Sequence, residues 1–256
     1  MWKNIRIALL LLLLAAVAIQ TWRDRIETQS WREPLWVGIF PLNGDGTDGA
    51  QRFIEALTVQ DFAPIEEFFD REASRYGVEA AQPVHIELYP PGSELPPTLG
   101  RDAGPLAIAW WSLKLRWYAM HASTVPGRAP ARIRLFVLFH DASTLSVAPD
   151  SHGLQKGLVA IVHVFAAPAM KGSNNVVIAH ELLHTVGASD KYDLSSGAAL
   201  FPSGYADPAR VPLYPQERAE IMAGRRALSA RVFEMPRSLR EVVVGPETAR
   251  EIRWMH

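Results

Sequence analysis

Apolar residues along this chain fall into two rhythms, and the rhythm changes mark the elements. Leu35–Leu42 (LWVGIFPL) is almost continuously apolar, as a strand covered on both faces would be, and it runs into the Gly-rich turn 43–49. Val84–Tyr89 alternates with the period of a strand. Ile133–His140 and Leu158–Phe165 are further β-rich runs, joined by a Ser/Pro/Gly loop. Between these lie stretches of helical period: Gln51–Leu57; Asp61–Tyr76, after the cap signal at Thr58 and before Gly77; and Leu106–Met120, which carries Trp110, Trp111, Trp117 and Tyr118 and reads as amphipathic. Pro90–Pro105 is a Pro/Gly-rich loop. Asn174–Val186 is helical and stops at Gly187. A loop-rich stretch follows to Pro215, then a helical segment over Gln216–Leu228 and an irregular tail. This order predicts an α/β (α+β) domain, a mixed sheet backed by helices.

Composition narrows the function classes. The 256 residues are 48% hydrophobic and 21% charged, enough to bury a substantial core. Net charge is −1 with acids and bases interspersed, so the sequence predicts no nucleic-acid partner. There is no cysteine, which removes thiolate metal sites, disulfides and cysteine nucleophiles together. Any metal must be held by His and carboxylates.

At the amino terminus, Lys3 and Arg6 precede an apolar run, Ile7–Ile19. Counted from Ile5 to Trp22 as a helix it extends roughly 27 Å, close to the thickness of a bilayer core. Trp22 and Arg23 suit an interfacial anchor; Ala16-Val17-Ala18 suits a signal-peptidase site instead. The expectation is a transmembrane anchor or signal segment over 1–22, a juxtamembrane linker over 23–34 and a catalytic-type domain over 35–256. That places the domain outside the cytoplasm, membrane-anchored in a bacterial envelope or secreted after cleavage.

The chemistry concentrates at His180-Glu181-Leu182-Leu183-His184. Four residues apart on a helix, two imidazoles share a face and converge on one metal, here argued as Zn2+, one per chain. Glu181, beside the first ligand, is placed to act as base toward an attacking water. A catalytic zinc takes three protein ligands and leaves one position open. After His184 the chain reads Thr185-Val186-Gly187-Ala188-Ser189-Asp190, and a left-handed turn at Gly187 would carry Asp190 back to the third position. By resemblance to another zincin branch, in which a Glu on a later helix is the third ligand, Glu217 and Glu220 are the rivals. The chance of the whole pattern arising at random in this composition is on the order of one in ten thousand.

HELLHTVGASD resembles the metzincin metallopeptidases, whose pattern is H-E-x-x-H-x-x-G-x-x-H, in the snapalysin-like variant where Asp replaces the last His. The resemblance spans about Asn175 to Gly224 and implies a zincin-like sheet with an active-site helix, His180, His184 and Asp190 as ligands, and Glu181 as the catalytic base. It also implies a Met-turn beneath the metal, for which Met222 is the candidate, although its surroundings read as partly helical. The combination is similar as well to a group of bacterial membrane-anchored proteins. The implied function is a zinc-dependent peptidase acting on a peptide or protein substrate. The alternatives are a non-catalytic zinc-binding scaffold at the membrane and an amidase acting on a cell-wall amide.

Other features carry blander readings. Tyr192, Tyr205 and Tyr214 follow the motif and are candidates for polarising a substrate carbonyl, although packed tyrosines are commoner. Val159–Val164 reads either as an edge strand that pairs with an extended peptide or as a purely structural strand, and His163 within it needs no catalytic role. Asn43–Gly49 has the look of a calcium loop, but its sixth place is Asp48 and its twelfth Ile54, so it reads as a turn. The cluster Trp110, Trp111 and Trp117 reads as core.

Overall fold

The architecture comes from a computed structural model that describes residues 27–100, 104–149, 151–154 and 157–255, together with Arg6 and Leu12 as isolated positions. The apolar run Ile7–Ile19 lies outside the described residues, apart from Leu12. Among the described residues no helix is long and apolar enough to cross a membrane.

Five strands form the central sheet: β1 (Leu35–Asn43), β2 (Val84–Leu88), β3 (Ile133–His140), β4 (His152–Leu154) and β5 (Val159–Phe165), in the order β2-β1-β3-β5-β4. Neighbours pair in parallel except at the β4 edge, where β4 runs antiparallel to Val159–Ile161. Parallel strands need crossovers, and the helices supply them on both faces. On one face lie α1 (Asp48–Glu55), α2 (Ala63–Arg75) and α4 (Lys171–Thr185); on the other lies α3 (Pro105–Ala122).

The strand residues divide accordingly. Val37, Ile39, Leu135, Val137, Ala160 and Val162 pack with Phe68, Phe69, Ile178 and Leu182. Phe40, Leu42, Phe136, Leu138 and Ile161 pack beneath Trp111, Leu115 and Tyr118 of α3. This two-sided burial is why the strands read as apolar runs rather than alternations.

The structure changes or decides several expectations. Over Gln216–Leu228 no α-helix forms; the segment holds β6 (Ala219–Glu220), a single 3-10 turn of helix (Ile221–Ala223) and β7 (Arg226–Ala227). β6 pairs with β9 (Val242–Val243) and β7 with β8 (Phe233–Glu234), and these distant partners override the local helical preference. The tail also forms a short helix, α5 (Pro246–Glu251). Of the two readings of Val159–Val164, the structure agrees with the structural one: β5 lies inside the sheet, and β4 is the edge strand on that side. Beyond β4 the free backbone of β5 is already engaged: Ser151 Oγ accepts from the His163 amide, and the Asn174 side chain bonds both the amide and the carbonyl of Phe165. Of the tryptophans expected in the core, only Trp111 is buried; Trp110 and Trp117 face solvent. Finally, the folded core begins upstream of Leu35. Trp31 is buried against Trp254, and its indole N–H donates to the Ile252 carbonyl at 2.7 Å.

The Asn43–Gly49 segment is held as a turn by its own side chains. Asn43 Oδ1 accepts from the Gly46 amide, and Asp45 accepts from the amides of Thr47 and Asp141. His163 stands 2.9 Å from His140 across two neighbouring strands.

Candidate metal centre

Helix α4 crosses beneath the sheet and is buried along most of its length. Its apolar side, Val176, Ile178, Ala179, Leu182 and Leu183, joins the main core. Its polar side carries His180, Glu181 and His184, whose ligand atoms lie within 4.8 Å of one another and form a group able to hold a metal ion. Glu181 is itself buried.

The helix ends as the glycine predicts. Gly187 adopts φ +107°, its amide bonds the His184 carbonyl and the next amide, of Ala188, bonds the Leu183 carbonyl. These two bonds are the Schellman arrangement that closes a helix through a left-handed residue. The turn has two consequences. It aims the Ala188 carbonyl at His184 Nδ1, 2.9 Å away, and it returns the chain so that Asp190 Oδ1 stands 3.2 Å from Nε2 of both His180 and His184.

His180 is oriented from below. Its Nδ1 lies 2.9 Å from the carbonyl of Ile221, the first residue of the 3-10 turn Ile221–Ala223. A carbonyl only accepts, so each Nδ1 must carry the proton, and in the neutral ring each Nε2 is then a bare lone pair. Those two Nε2 atoms are 3.1 Å apart. Three electron-pair donors, two imidazole nitrogens and one carboxylate oxygen, therefore face one another at 3.1–3.2 Å. Such a set is repulsive unless a proton or a cation sits among them. Tetrahedral zinc, with bonds of about 2.0–2.1 Å, places its ligands about 3.3–3.4 Å apart, so the triangle fits with little movement.

The titration tendencies agree. Burial would push His180 down, but the carboxylates of Asp190 and Glu181 and the Ile221 carbonyl raise it overall. Burial would push Asp190 up, but hydrogen bonds and charge from the two imidazoles hold it well below the usual carboxylate range. The site attracts positive charge.

Several residues that the sequence did not single out for this task hold His180 and Asp190 in place. Glu220 is fully buried; its Oε2 accepts from the amides of Met222 and Ala223, and its Oε1 from the Gly245 amide and the Thr248 hydroxyl. Burial pushes its carboxyl up, against four hydrogen bonds that favour the ionised form. Gly245 is needed there, because a Cβ at that position would stand 2.8 Å from the Glu220 side chain. Glu220 thus clamps the turn whose first carbonyl orients His180, and it is not a third ligand. Glu217, the other rival, is exposed and paired with Arg210.

Asp190 has a clamp of its own. Buried Lys191 bonds Ser189 and Glu251, and Glu251 also accepts from the amide and hydroxyl of Ser189. Gln29 donates to the Val186 carbonyl just before the turn. The only sequence-level hint was the run of polar residues Ser189-Asp190-Lys191 directly after Gly187; their partners lie dozens of residues away.

Of the remaining candidates, Met222 is fully buried in the short 3-10 helix closed by left-handed Gly224, in keeping with the partly helical setting its sequence suggests. Tyr192 stands beside the cluster, its ring 6.5 Å from that of His180. Tyr205 and Tyr214 bond each other through their hydroxyls at 2.9 Å. Burial and that bond push the Tyr205 phenol up to about 12.

No family model matches the chain, and no curated protein matches it by sequence. Among solved structures, a catalytically inactive OgpA from Akkermansia muciniphila, in complex with an O-glycopeptide substrate (glycodrosocin), aligns over 85% of this chain at 10% identity with a TM-score of 0.35. The aligned part spans 59% of that structure's chain. The functional reading therefore stands on the site itself.

Proposed function

We propose that this chain is a zinc-dependent peptidase, with His180, His184 and Asp190 as ligands and Glu181 as the catalytic base. The observation that carries this reading is the convergence of three lone-pair donors, two of them imidazole nitrogens whose rings are fixed through Nδ1. Two imidazoles and one carboxylate in a cysteine-free site favour zinc among the common divalent metals.

Bound there, the metal would supply a Lewis acid for the scissile carbonyl and lower the pKa of a water. The remaining steps belong to the protein. Glu181 takes the proton of the attacking water and delivers it to the departing amine nitrogen as the C–N bond breaks. Tyr192, whose ring stands 6.5 Å from that of His180, would donate to the oxygen that gains charge. An extended peptide would pair along the β4 edge, which the Val159–Val164 segment cannot offer. Met222, packed in the turn that orients His180, takes the place of the metzincin Met-turn. The run Ile7–Ile19 would hold this domain at, or carry it across, a membrane.

The test is metal content and peptide hydrolysis measured together on the full chain, for wild type, Asp190→Ala and Glu181→Gln. Glu181→Gln is expected to keep its zinc and lose roughly 100-fold or more in hydrolysis. Asp190→Ala is expected to lose zinc as well. Full hydrolysis by zinc-loaded Glu181→Gln would reject the mechanism. Zinc without cleavage of peptides in wild type would favour a scaffold or, if cell-wall amides are cut instead, an amidase.

A further inference from the structure

Helix α3 carries apolar residues on the side that faces away from the protein. Leu106, Trp110, Leu113, Trp117 and Met120 are 88%, 61%, 60%, 61% and 57% exposed. Their spacing of four, three, four and three residues puts them on one stripe along an 18-residue helix about 27 Å long. The opposite side of the same helix, Trp111, Leu115, Tyr118 and Ala119, is already packed on the sheet. A single exposed leucine is ordinary, but a full-length stripe with two tryptophans marks a surface that something covers.

We infer that this stripe lies on the surface of a lipid bilayer containing anionic lipid, with α3 parallel to the membrane plane. Three observations select a bilayer as the occupant. First, α3 has no acidic residue, while Lys114 and Arg116 are exposed beside the stripe and Lys114 Nζ sits 5.6 Å from the Trp110 ring centroid. Tryptophan and lysine or arginine around an aliphatic stripe is the composition that settles at the headgroup boundary, where the rings enter the acyl edge and the cations meet lipid phosphates. Two copies of this helix face to face would bring only positive charges together. Second, the apolar run ends at Ile19 and the folded domain begins by Glu27. The seven residues between them reach at most about 25 Å. Third, the chain enters the domain where α3 ends. Glu27 pairs with Arg132, and the adjacent Ala131 belongs to the same apolar cluster as Tyr118 and Ala119 in the last turns of α3.

The inference rests on the reading of Ile7–Ile19 as a membrane segment and adds an orientation to it. Because α3 and α4 cover opposite faces of the sheet, a docked α3 turns the metal centre away from the lipid. The substrates would then be chains or cross-links standing off the membrane, rather than segments embedded in it.

The chain has no cysteine, so single reporters can be placed cleanly. Full-length Leu113→Cys and Trp117→Cys, with Glu67→Cys on α2 as the control on the far side, would carry nitroxide labels in phosphatidylcholine vesicles with and without phosphatidylglycerol. Flotation shows whether the chain is on the vesicles, and spin relaxation by oxygen and by a neutral nickel chelate shows what surrounds each label. The expected result is a several-fold higher oxygen-to-nickel ratio at 113 and 117 than at 67, larger when phosphatidylglycerol is present. Vesicle-bound chain with 113 and 117 as nickel-accessible as 67 would overturn the docking while leaving the anchor intact. Labels shielded from both reagents, or broadened by one another, would overturn it in favour of protein cover from the amino-terminal run or a second copy. Failure to float would reject the anchor reading itself.

Discussion

Helices α3 and α4 each carry residues that run against their surroundings, and they do so for opposite reasons. α4 is buried on nearly every side, so its polar residues are the exceptions, and several of them have a specific contact. Asn174 bonds the Phe165 backbone, Asn175 the Asp61 carbonyl, and His180 and His184 the carbonyls that set their tautomers. α3 is covered on one side only, so its apolar residues are the exceptions, and those on the outer stripe are more than half exposed among the described residues. A buried polar group without a partner is costly, while an exposed apolar side chain costs far less. The contrast therefore separates the two helices: α4 turns its polar residues inward, around a group able to hold a metal ion, and α3 turns its apolar stripe outward.

The sharpest way to break this comparison is to truncate one leucine on each helix. Leu182 is fully buried in α4, and Leu182→Ala should cost about 2–5 kcal/mol from lost burial and an unfilled cavity. Leu113→Ala on the outer stripe of α3 should cost under about 0.5 kcal/mol. Chemical unfolding of the two variants measures the difference; equal losses would mean that the α3 stripe is packed against the protein after all.

The next effect concerns the device that orients His180. Glu220→Ala leaves four buried donors, the amides of Met222, Ala223 and Gly245 and the Thr248 hydroxyl, without their acceptor. The expected loss is about 2–3 kcal/mol of stability, with zinc affinity falling roughly 10-fold as the Ile221 carbonyl drifts from His180. Zinc affinity by competition with a chelating dye is the readout. Unchanged affinity in a folded variant would show that the turn does not position the ligand.

Local signals account for what was legible in the sequence. β1, β2, β3 and β5 are visible as β-branched and apolar runs, and the ligand helix with its Gly187 turn is visible because H-E-x-x-H, the left-handed stop and Asp190 are spaced by helix geometry alone. Glu220 was visible only as a rival ligand. Its real role depends on Gly245 and Thr248, more than twenty residues later, and no local pattern encodes that. The same holds for Gln216–Leu228, whose residues favour a helix until β8 and β9 pair with them. Three-residue β4 is too short to carry a period. Trp110 and Trp117 were misplaced because apolarity states a need for cover without saying what provides it.

The smallest effect is tied to pH. Burial pushes the Glu251 carboxyl up, but bonds from Lys191 and Ser189 outweigh it and lower the pKa overall. A carboxyl lowered on folding contributes stability that is complete above its unfolded value, near 4.5, and is lost as pH falls through the folded one. Glu251→Gln should therefore cost about 1 kcal/mol near neutrality, and the gap from wild type should close as the medium is acidified below about pH 4.5. Urea unfolding of both proteins at pH 7, 5 and 4 gives the gap directly. Because Glu251 fastens Ser189 and Lys191 on either side of Asp190, the same variant should also bind zinc more weakly at pH 7. A stability gap without any change in zinc affinity would place Glu251 in the scaffold alone, and leave the Gly187 turn as the sole device that delivers Asp190.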